Sequence, residues 1–329
     1  MRGMSEDDDI EAARKKYANA RPLYQRLCEE VRDVLETKLS EAGLSPASIT
    51  DRPKSIDSFA EKIARKHYKD PLSQMTDLAG VRVVCAYESE LAIVANVIEK
   101  NFDVRERVDK AHDLGVDRMG YNGKAFVVAF GTKYAGGRYD GITTLNCEIQ
   151  VRTILQDAWA IIDHQLVYKN EDSVPERLRR DLNNVASLLE IAQGIFDSVK
   201  VKRASYIAEI EQKETDPPAF LAQPLDFDTV LAYTKWKFQD REPSERLTQL
   251  LLRDINAEAY PTLRELDVVV DRAEKAVDAY RAENPDRFKY GTDFLTKSLG
   301  FVDPKFREKH GFAPKTRAAF TKFSHLIRS

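Results

Sequence analysis

The sequence predicts an α/β domain followed by an all-helical domain. Short β-branched runs alternate with amphipathic helical segments up to residue 153, and apolar residues then recur at helical spacing. Three prolines lie between residues 217 and 224, where they interrupt helix and strand alike. A chain of 329 residues is long enough for two domains of about 150 residues. We therefore predict an α/β domain over 1–214, a Pro-rich linker over 215–226 and a helical domain over 227–329.

The first predicted elements are helices. Apolar residues recur at helical spacing over residues 10–39, which indicates one or two amphipathic helices. After a turn-rich stretch over 42–51, a second helical pattern covers residues 56–68. Five cationic or hydroxyl side chains then surround the start of this second helix: Arg52, Lys54, Ser55, Ser58 and Lys62.

Four strands are predicted next. The β-branched run over 81–87 is followed by an amphipathic helix over 90–101. Further strands are indicated at 103–108, 124–130 and 143–153. In the last strand, three apolar residues alternate with Glu148, Gln150 and Arg152. Because side chains alternate between the two faces of a strand, one face should pack while the other carries the functional groups.

Helices are predicted for the remainder of the chain. One covers residues 154–168, and a longer one begins near Ser173, which can cap it, and continues toward Glu211. Several short helices are expected over 227–329. The last 30 residues contain seven cations and two acids, a balance of 7 − 2 = +5, together with five phenylalanines. This mixture is typical either of an RNA-binding surface or, in the interpretation that we favour, of helices that pack their Phe residues on their own domain.

Composition and charge exclude a disordered chain. Lys and Arg number 51 against 54 Asp and Glu, a net charge of −3, and 43% of the residues are hydrophobic, as in globular proteins. No run approaches the ~18 apolar residues of a membrane span, and the N-terminus has no apolar segment of a secretion signal. We therefore expect a cytoplasmic protein without membrane contact. Cys28, Cys85 and Cys147 lack metal-binding spacing, and we expect reduced, buried thiols.

Four clusters carry side chains suited to phosphate chemistry. Cations, hydroxyls and a helix start attract phosphate, acids bind divalent cations, and an exposed Tyr ring can stack on a base. The clusters are Arg52-Pro-Lys54-Ser55-x-x-Ser58 with Lys62, Asp77-Leu-Ala-Gly80-Val-Arg82, Gly120-Tyr121-Asn122-Gly123, and Glu148-Ile-Gln150-Val-Arg152-Thr153 followed by His164 and Lys169.

In this order the clusters resemble those of the RelA/SpoT-type alarmone synthetases, over about residues 45–170. The resemblance implies a mixed five-stranded sheet flanked by helices. It also implies transfer of the β,γ-pyrophosphate of ATP to the ribose 3′-hydroxyl of GDP or GTP, which makes (p)ppGpp. The dipeptide His112-Asp113 lacks the partner histidines and acids of a metal-dependent hydrolase, so we expect a synthetase without a hydrolase domain.

The same resemblance implies a role for each residue of the clusters. Asp77 would bind Mg²⁺, and Glu148 would activate the acceptor hydroxyl or share the metal. The ATP phosphates would be held by Arg52, Lys54, Ser55, Ser58, Lys62 and Arg82. The acceptor would be bound by Tyr121, Lys124, Gln150, Arg152, His164 and Lys169. Such a transfer needs charge neutralisation and alignment more than covalent help, and replacing Asp77 by Asn should therefore stop it while leaving stability nearly unchanged.

One motif departs from the family pattern, and it keeps other functions open. The acceptor motif usually reads Gly-Tyr-Arg-x-x-His, whereas this chain has Gly120-Tyr-Asn-Gly-Lys-Ala125. Lys124 is the candidate to replace the lost charge, although alternation directs it to the sheet face opposite that of residue 125. The departure favours an alternative in which this chain is similar to the toxic relatives, which modify the tRNA 3′ end or make adenosine alarmones. In that alternative its C-terminal domain would be an inhibitor or a sensor. A non-catalytic nucleotide sensor is a third reading, but Asp77 and Glu148 are both present. The oligomeric state is left open.

Overall fold

The computed structural model describes residues 6–109, 123–166 and 175–328. The chain divides into two compact units, Met1–Val199 and Lys200–Ser329. The first unit contains a sheet with helices around it, and the second is helical, as predicted. The division falls inside one long helix, Glu176–Lys213, rather than at the predicted linker, and the functional boundary between the two domains stays a prediction.

The first unit alternates helices and strands from its first described residue. Its described elements are α1 (Glu6–Glu41), β1 (Ser48–Pro53), α2 (Ile56–Lys66), α3 (Pro71–Gln74), β2 (Ala79–Cys85), α4 (Glu88–Asn101), β3 (Asp103–Asp109), β4 (Lys124–Ala129), a 3₁₀ turn (Gly131–Lys133), β5 (Cys147–Thr153), α5 (Ile154–Leu166) and α6 (Glu176–Lys213). The 10–39 pattern is thus a single helix that continues through Pro22. The predicted cap at Ser173 lies outside the described residues.

The five strands form one mixed sheet in the order β1-β2-β5-β4-β3, which confirms the predicted fold class. Strands β2 and β5 are parallel, and the other neighbours are antiparallel. The turn-rich stretch predicted over 42–51 is confirmed for residues 42–47 and wrong for 48–51, because the edge strand β1 begins at Ser48. Its sequence Ser-Ile-Thr-Asp-Arg-Pro has one large apolar residue and ends in proline, so it lacks the usual strand signals even though an edge strand tolerates both features.

The core of the first unit covers one face of the sheet. Helix α1 packs against β1, β2 and α2, and α4 packs against β2, β3 and β5. Leu27, Leu35, Val83 and Ile149 are fully buried in this layer, and burial of each such side chain stabilises the fold by about 1.5–3 kcal/mol. The opposite face of β2 and β5 is therefore left to polar side chains, as the alternation in β5 predicts.

The antiparallel strands β4 and β5 follow each other in the chain and form a hairpin, and the residues that join them are fixed to α1. Phe130 contacts the rings of Tyr134 and Tyr139, with centroids 4.8 and 5.0 Å apart. The Arg138 guanidinium binds Glu30 and Asp33, both on α1. Aromatic packing and ion pairs therefore hold residues 131–146 against the first helix.

The second unit consists of short helices around a long one. They are α7 (Pro217–Leu221), α8 (Phe227–Lys237), α9 (Glu245–Asp254), α10 (Leu263–Glu283), α11 (Gly291–Val302), α12 (Pro304–Lys309) and α13 (Pro314–Lys322), with 3₁₀ turns at Pro285–Arg287 and Ser324–Leu326. In the part of the chain that the structure describes, no helix is both long and apolar enough to cross a membrane.

Two expectations for this unit can be compared with its packing. Prolines were expected to exclude helix over 217–224, but Pro217 and Pro218 occupy the first turn of α7, where a missing N–H does no harm, and Phe220 is fully buried. Near the C-terminus, four of the five phenylalanines are buried in helical cores: Phe301, Phe306, Phe320 and Phe323. Those rings pack on their own domain and do not offer stacking surfaces to RNA.

Candidate active site

A polar pocket of 440 Å³ lies on the exposed face of β1, β2 and β5, next to the start of α2. Its lining includes eight of the residues predicted from the sequence: Arg52, Lys54, Ser55, Ser58, Asp77, Arg82, Glu148 and Gln150. The first, second and fourth clusters of the sequence therefore meet in one cavity. A pocket of this size fits a nucleotide-sized ligand.

Strand register explains how these side chains meet. Arg52 on β1 pairs with Gly80 on β2, and Gly80 pairs with Glu148 on β5. In the same way, Arg82 lies beside Gln150. Residues that are opposite one another on neighbouring strands share a face of the sheet. Because Gly80 has no side chain, the space between Arg52 and Glu148 stays open. Arg52 thus lies on a strand and not at the helix start where the sequence pattern placed it.

Asp77 lies between two lysines. Its Oδ2 accepts hydrogen bonds from Lys54 Nζ at 2.9 Å and from Lys62 Nζ at 2.8 Å. Burial opposes ionisation of this carboxyl, but the hydrogen bonds from Lys62 and Lys54 outweigh it, and the pKa of Asp77 is lowered. Asp77 is therefore ionised at neutral pH. Lys62 was predicted to bind ATP. In the structure it does not line the pocket but donates a hydrogen bond to Asp77, which does.

The carboxylates of Asp77 and Glu148 are suited to bind a divalent cation that also binds a phosphate ligand. Asp77 Oδ1 is buried and has no hydrogen-bond partner among the described residues. Mg²⁺ typically binds one or two protein carboxylates and completes its shell with waters and substrate phosphates. Asp77 and Glu148 line the same pocket, and the described residues contain no group of three or more potential metal ligands. The two carboxylates are suited to a cation that arrives with a nucleotide.

The loop that carries Lys54 is fixed by buried groups. The hydroxyl of Tyr17 on α1 donates a 2.8 Å hydrogen bond to the Lys54 carbonyl, and its ring stacks on Phe59 at a centroid distance of 4.4 Å. Burial raises the pKa of Tyr17 to about 12, so the hydroxyl remains a donor at neutral pH. Ser55 is the N-cap of α2 and accepts from the Ser58 backbone N–H at 3.1 Å. The position of Ser55 at the helix start is thus as predicted.

On the other side of the pocket, Gln150 orients Glu148. The Gln150 side-chain amide donates a 2.8 Å hydrogen bond to Glu148 Oε2. Both residues alternate with Cys147, Ile149 and Val151, which are fully buried. The carboxylate is therefore held on a rigid strand and faces the pocket, which is the placement required of a proton acceptor.

Sequence reasoning missed Asp157, which joins two predicted arginines. Its Oδ1 lies 3.0 Å from Arg82 Nη1 and 3.5 Å from Arg152 Nη1. Burial and the neighbouring Arg82 lower the pKa of Arg152, so a counter-charge at this position stabilises both guanidinium groups. The available signal was an acid in the first turn of α5, directly after the strand that carries Arg152. Its proximity to Arg82 depends on the parallel pairing of β2 with β5.

Of the remaining predicted residues, Lys124 is described and is not brought into the pocket, while three others cannot be compared with the structure. Lys124 pairs with Val151 on the neighbouring strand, whereas Ala125 pairs with Gln150. Because side chains alternate between the two faces of a strand, Lys124 lies on the face opposite that of Gln150. Tyr121 and Lys169 lie outside the described residues. His164 lies on α5, but its side chain is outside the described part of the structure.

Comparison with known proteins connects this site to a family. Residues 51–173 match the family described as a region found in RelA / SpoT proteins. GTP pyrophosphokinase YwaC of Bacillus subtilis (strain 168) is 27% identical over 194 residues, which cover 55% of this chain and 89% of YwaC. GTP pyrophosphokinase YjbM of the same organism is 28% identical over 141 residues, 42% of this chain and 64% of YjbM. A crystal structure of the small alarmone synthetase 1 from Bacillus subtilis is 23% identical, with a TM-score of 0.49, and the similarity covers 58% of this chain and 98% of that chain. Three ordered clusters that meet in one pocket lie within the matched residues, so the segment 51–173 of this chain contains the region found in RelA / SpoT proteins.

Proposed function

We propose that this protein is an ATP-dependent pyrophosphokinase that transfers the β,γ-pyrophosphate of ATP to the ribose 3′-hydroxyl of GDP or GTP, making (p)ppGpp. One observation carries the proposal: two acids, Asp77 and Glu148, line one pocket with Arg52, Lys54 and Arg82. The names of the relatives YwaC and YjbM, both GTP pyrophosphokinases, support the same reaction and guanine nucleotides as acceptors.

The donor triphosphate would bind where the cations converge. Arg52 and Arg82 lie on neighbouring strands of the pocket, two positions apart in register and so on the same face of the sheet, and Lys54 lies at the adjoining loop. Arginine offers several donors to phosphate oxygens, and the start of α2 adds backbone N–H groups. These groups would neutralise the triphosphate and align its β-phosphorus with the acceptor.

Transfer would begin when the acceptor 3′-oxygen attacks the β-phosphorus of ATP. The bond from that phosphorus to the bridging oxygen of the α-phosphate breaks, and AMP leaves with that oxygen. Glu148, oriented by Gln150, would accept the hydroxyl proton. Asp77 and Glu148 would hold Mg²⁺, which supplies charge neutralisation on the transferred phosphates.

The direct test is to identify the acceptor. The purified full-length protein is incubated with ATP labelled on its γ-phosphate, together with GDP, GTP, AMP, ADP, further ATP or deacylated tRNA in separate reactions. Labelled GDP or GTP is the expected result. Labelling of tRNA or of an adenine nucleotide alone would contradict the proposed acceptor but retain pyrophosphate transfer, and no labelled acceptor in any reaction would overturn the enzymatic proposal.

A further inference from the structure

Gly123 is the one residue of the cluster Gly120-Tyr121-Asn122-Gly123 that the structure describes, and it is buried directly before β4. Lys124 pairs with Val151 in the antiparallel pair of β4 and β5. Neighbouring residues of antiparallel strands pair in opposite order along the chain. Gly123 therefore lies beside Arg152, the next residue of β5.

A side chain at position 123 would overlap with β5. A Cβ atom placed on Gly123 would lie 2.3 Å from the carbonyl oxygen of Val151 and 2.4 Å from Cγ of Arg152. Real Cβ atoms essentially never approach another heavy atom closer than 3.0 Å, and ordinary van der Waals contact begins at 3.4 Å. Glycine in a strand marks the places where another group comes this close to the backbone.

The stem of Arg152 occupies the space that the absent side chain leaves. The Arg152 side chain is 18% exposed, and its Nη1 lies 3.5 Å from Oδ1 of Asp157, the carboxylate oxygen that also lies 3.0 Å from Arg82 Nη1. To move from 2.4 Å to the 3.4 Å of ordinary contact, Cγ of Arg152 would have to shift by 1.0 Å. A shift of this size is large enough to carry the guanidinium beyond about 4 Å from Asp157, the limit of an ion pair.

We propose that Gly123 is a positioning residue of the site: the absence of a side chain at this position holds Arg152 against Asp157, next to Arg82, which lines the pocket. Gly123 itself offers no group to a substrate. Its effect on substrates rests on the proposed pyrophosphokinase function, in which Arg152 is an acceptor-binding residue. A displacement of about 1 Å in a positioning group is enough to impair a reaction.

The kinetic test is a double-mutant cycle in the full-length protein. Gly123→Ala should raise the KM for GTP about 10-fold with a smaller change in kcat, and Arg152→Ala should raise it by a similar factor. The Gly123→Ala/Arg152→Ala protein should be no worse than Arg152→Ala, because both changes act through one guanidinium. The matched control is Gly137→Ala, since a Cβ at Gly137 would meet no atom within 4 Å, and its KM should equal that of wild type. Effects of Gly123→Ala and Arg152→Ala that multiply in the double variant would overturn the proposal.

A crystal structure of Gly123→Ala tests the geometry without any assay of activity. Arg152 Nη1 should lie more than about 4 Å from Asp157 Oδ1, and an unchanged contact would overturn the proposal. A displaced Arg152 in a protein whose wild type transfers no pyrophosphate would support the positioning role and contradict only the proposed function. If Gly123→Ala does not fold, adding Arg152→Ala should remove one of the two overlaps and raise the melting temperature. A double variant that is no more stable than Gly123→Ala would then overturn the proposal.

Discussion

Replacing Asp77 by Asn removes the negative charge that two lysine ammonium groups share. Lys54 and Lys62 each donate to Asp77 Oδ2, at 2.9 and 2.8 Å. The side chains of the three residues are only 17–22% exposed, so water reaches them poorly. The Asn oxygen can still accept one hydrogen bond, but the ionic character of both contacts is lost. The structure therefore revises the expectation from sequence that this change leaves stability nearly unaltered.

The size of the effect follows from these contacts. A hydrogen bond to a charged group contributes about 1.5–3 kcal/mol. Both lysines can partly recover hydration when Asp77 is replaced, which reduces the loss. We expect the Asp77→Asn variant to unfold with a free energy lower by about 2 kcal/mol, and to lose pyrophosphate transfer.

The stability that Asp77→Asn loses should depend on pH in a defined direction. The folded-state pKa of Asp77 is lowered, so the charge contributes stability above the unfolded-state pKa of about 3.9. This contribution disappears as the pH falls below that value and through the lowered folded-state pKa. The difference between wild type and Asp77→Asn should therefore be constant between about pH 5 and 7 and shrink in more acidic solution.

Urea denaturation of both proteins at several pH values measures this difference. Asp278→Asn is the control, because Asp278 is 56% exposed and pairs with Arg281 on the surface of α10, where an ion pair contributes at most about 1 kcal/mol. Equal unfolding free energies for wild type and Asp77→Asn at pH 7, or a difference that persists unchanged in acid, would refute the assigned role of Asp77.

Two further substitutions examine the groups that position the donor site. Asp157→Asn should raise the KM for ATP about 10-fold with a smaller change in kcat, because Arg82 loses its counter-charge; an unchanged KM in steady-state kinetics would show that Asp157 does not position this arginine. Tyr17→Phe should lower the free energy of unfolding by about 1 kcal/mol, measured by urea denaturation, and should raise the KM for ATP through the loop that carries Lys54. A stability loss with no change in KM would assign Tyr17 a purely structural role.

Period-two patterning explains why the side of the pocket formed by β5 could be predicted. The alternation of Glu148, Gln150 and Arg152 with buried residues is a local property of β5, and a sequence expresses it directly. Strand β1 was missed because an edge strand with one large apolar residue has no such signal. The arrangement Arg52-Gly80-Glu148 depends on pairing between strands that are distant in the sequence, and local patterns do not encode that register.

Long-range contacts account for the other differences. Asp157 meets Arg82 across 75 positions of sequence, and no spacing rule connects them. Asp77 was predicted as a metal ligand from resemblance, but its two lysine partners lie 23 and 15 positions earlier in the sequence, and no local pattern connects them with it. The helix over 217–221 shows that prolines in a first turn permit helix formation. A regulatory role for the helical domain stays a prediction, since each pocket residue named here lies before residue 200.

The most direct test of pyrophosphate transfer is the stoichiometry between AMP release and acceptor labelling by the full-length protein. With ATP labelled on the γ-phosphate, GTP as acceptor and Mg²⁺ present, the account predicts one AMP for each labelled acceptor. It also predicts that the Glu148→Gln protein yields neither. Release of ADP with the labelled acceptor, AMP formed without labelling, or near wild-type turnover by Glu148→Gln would contradict it.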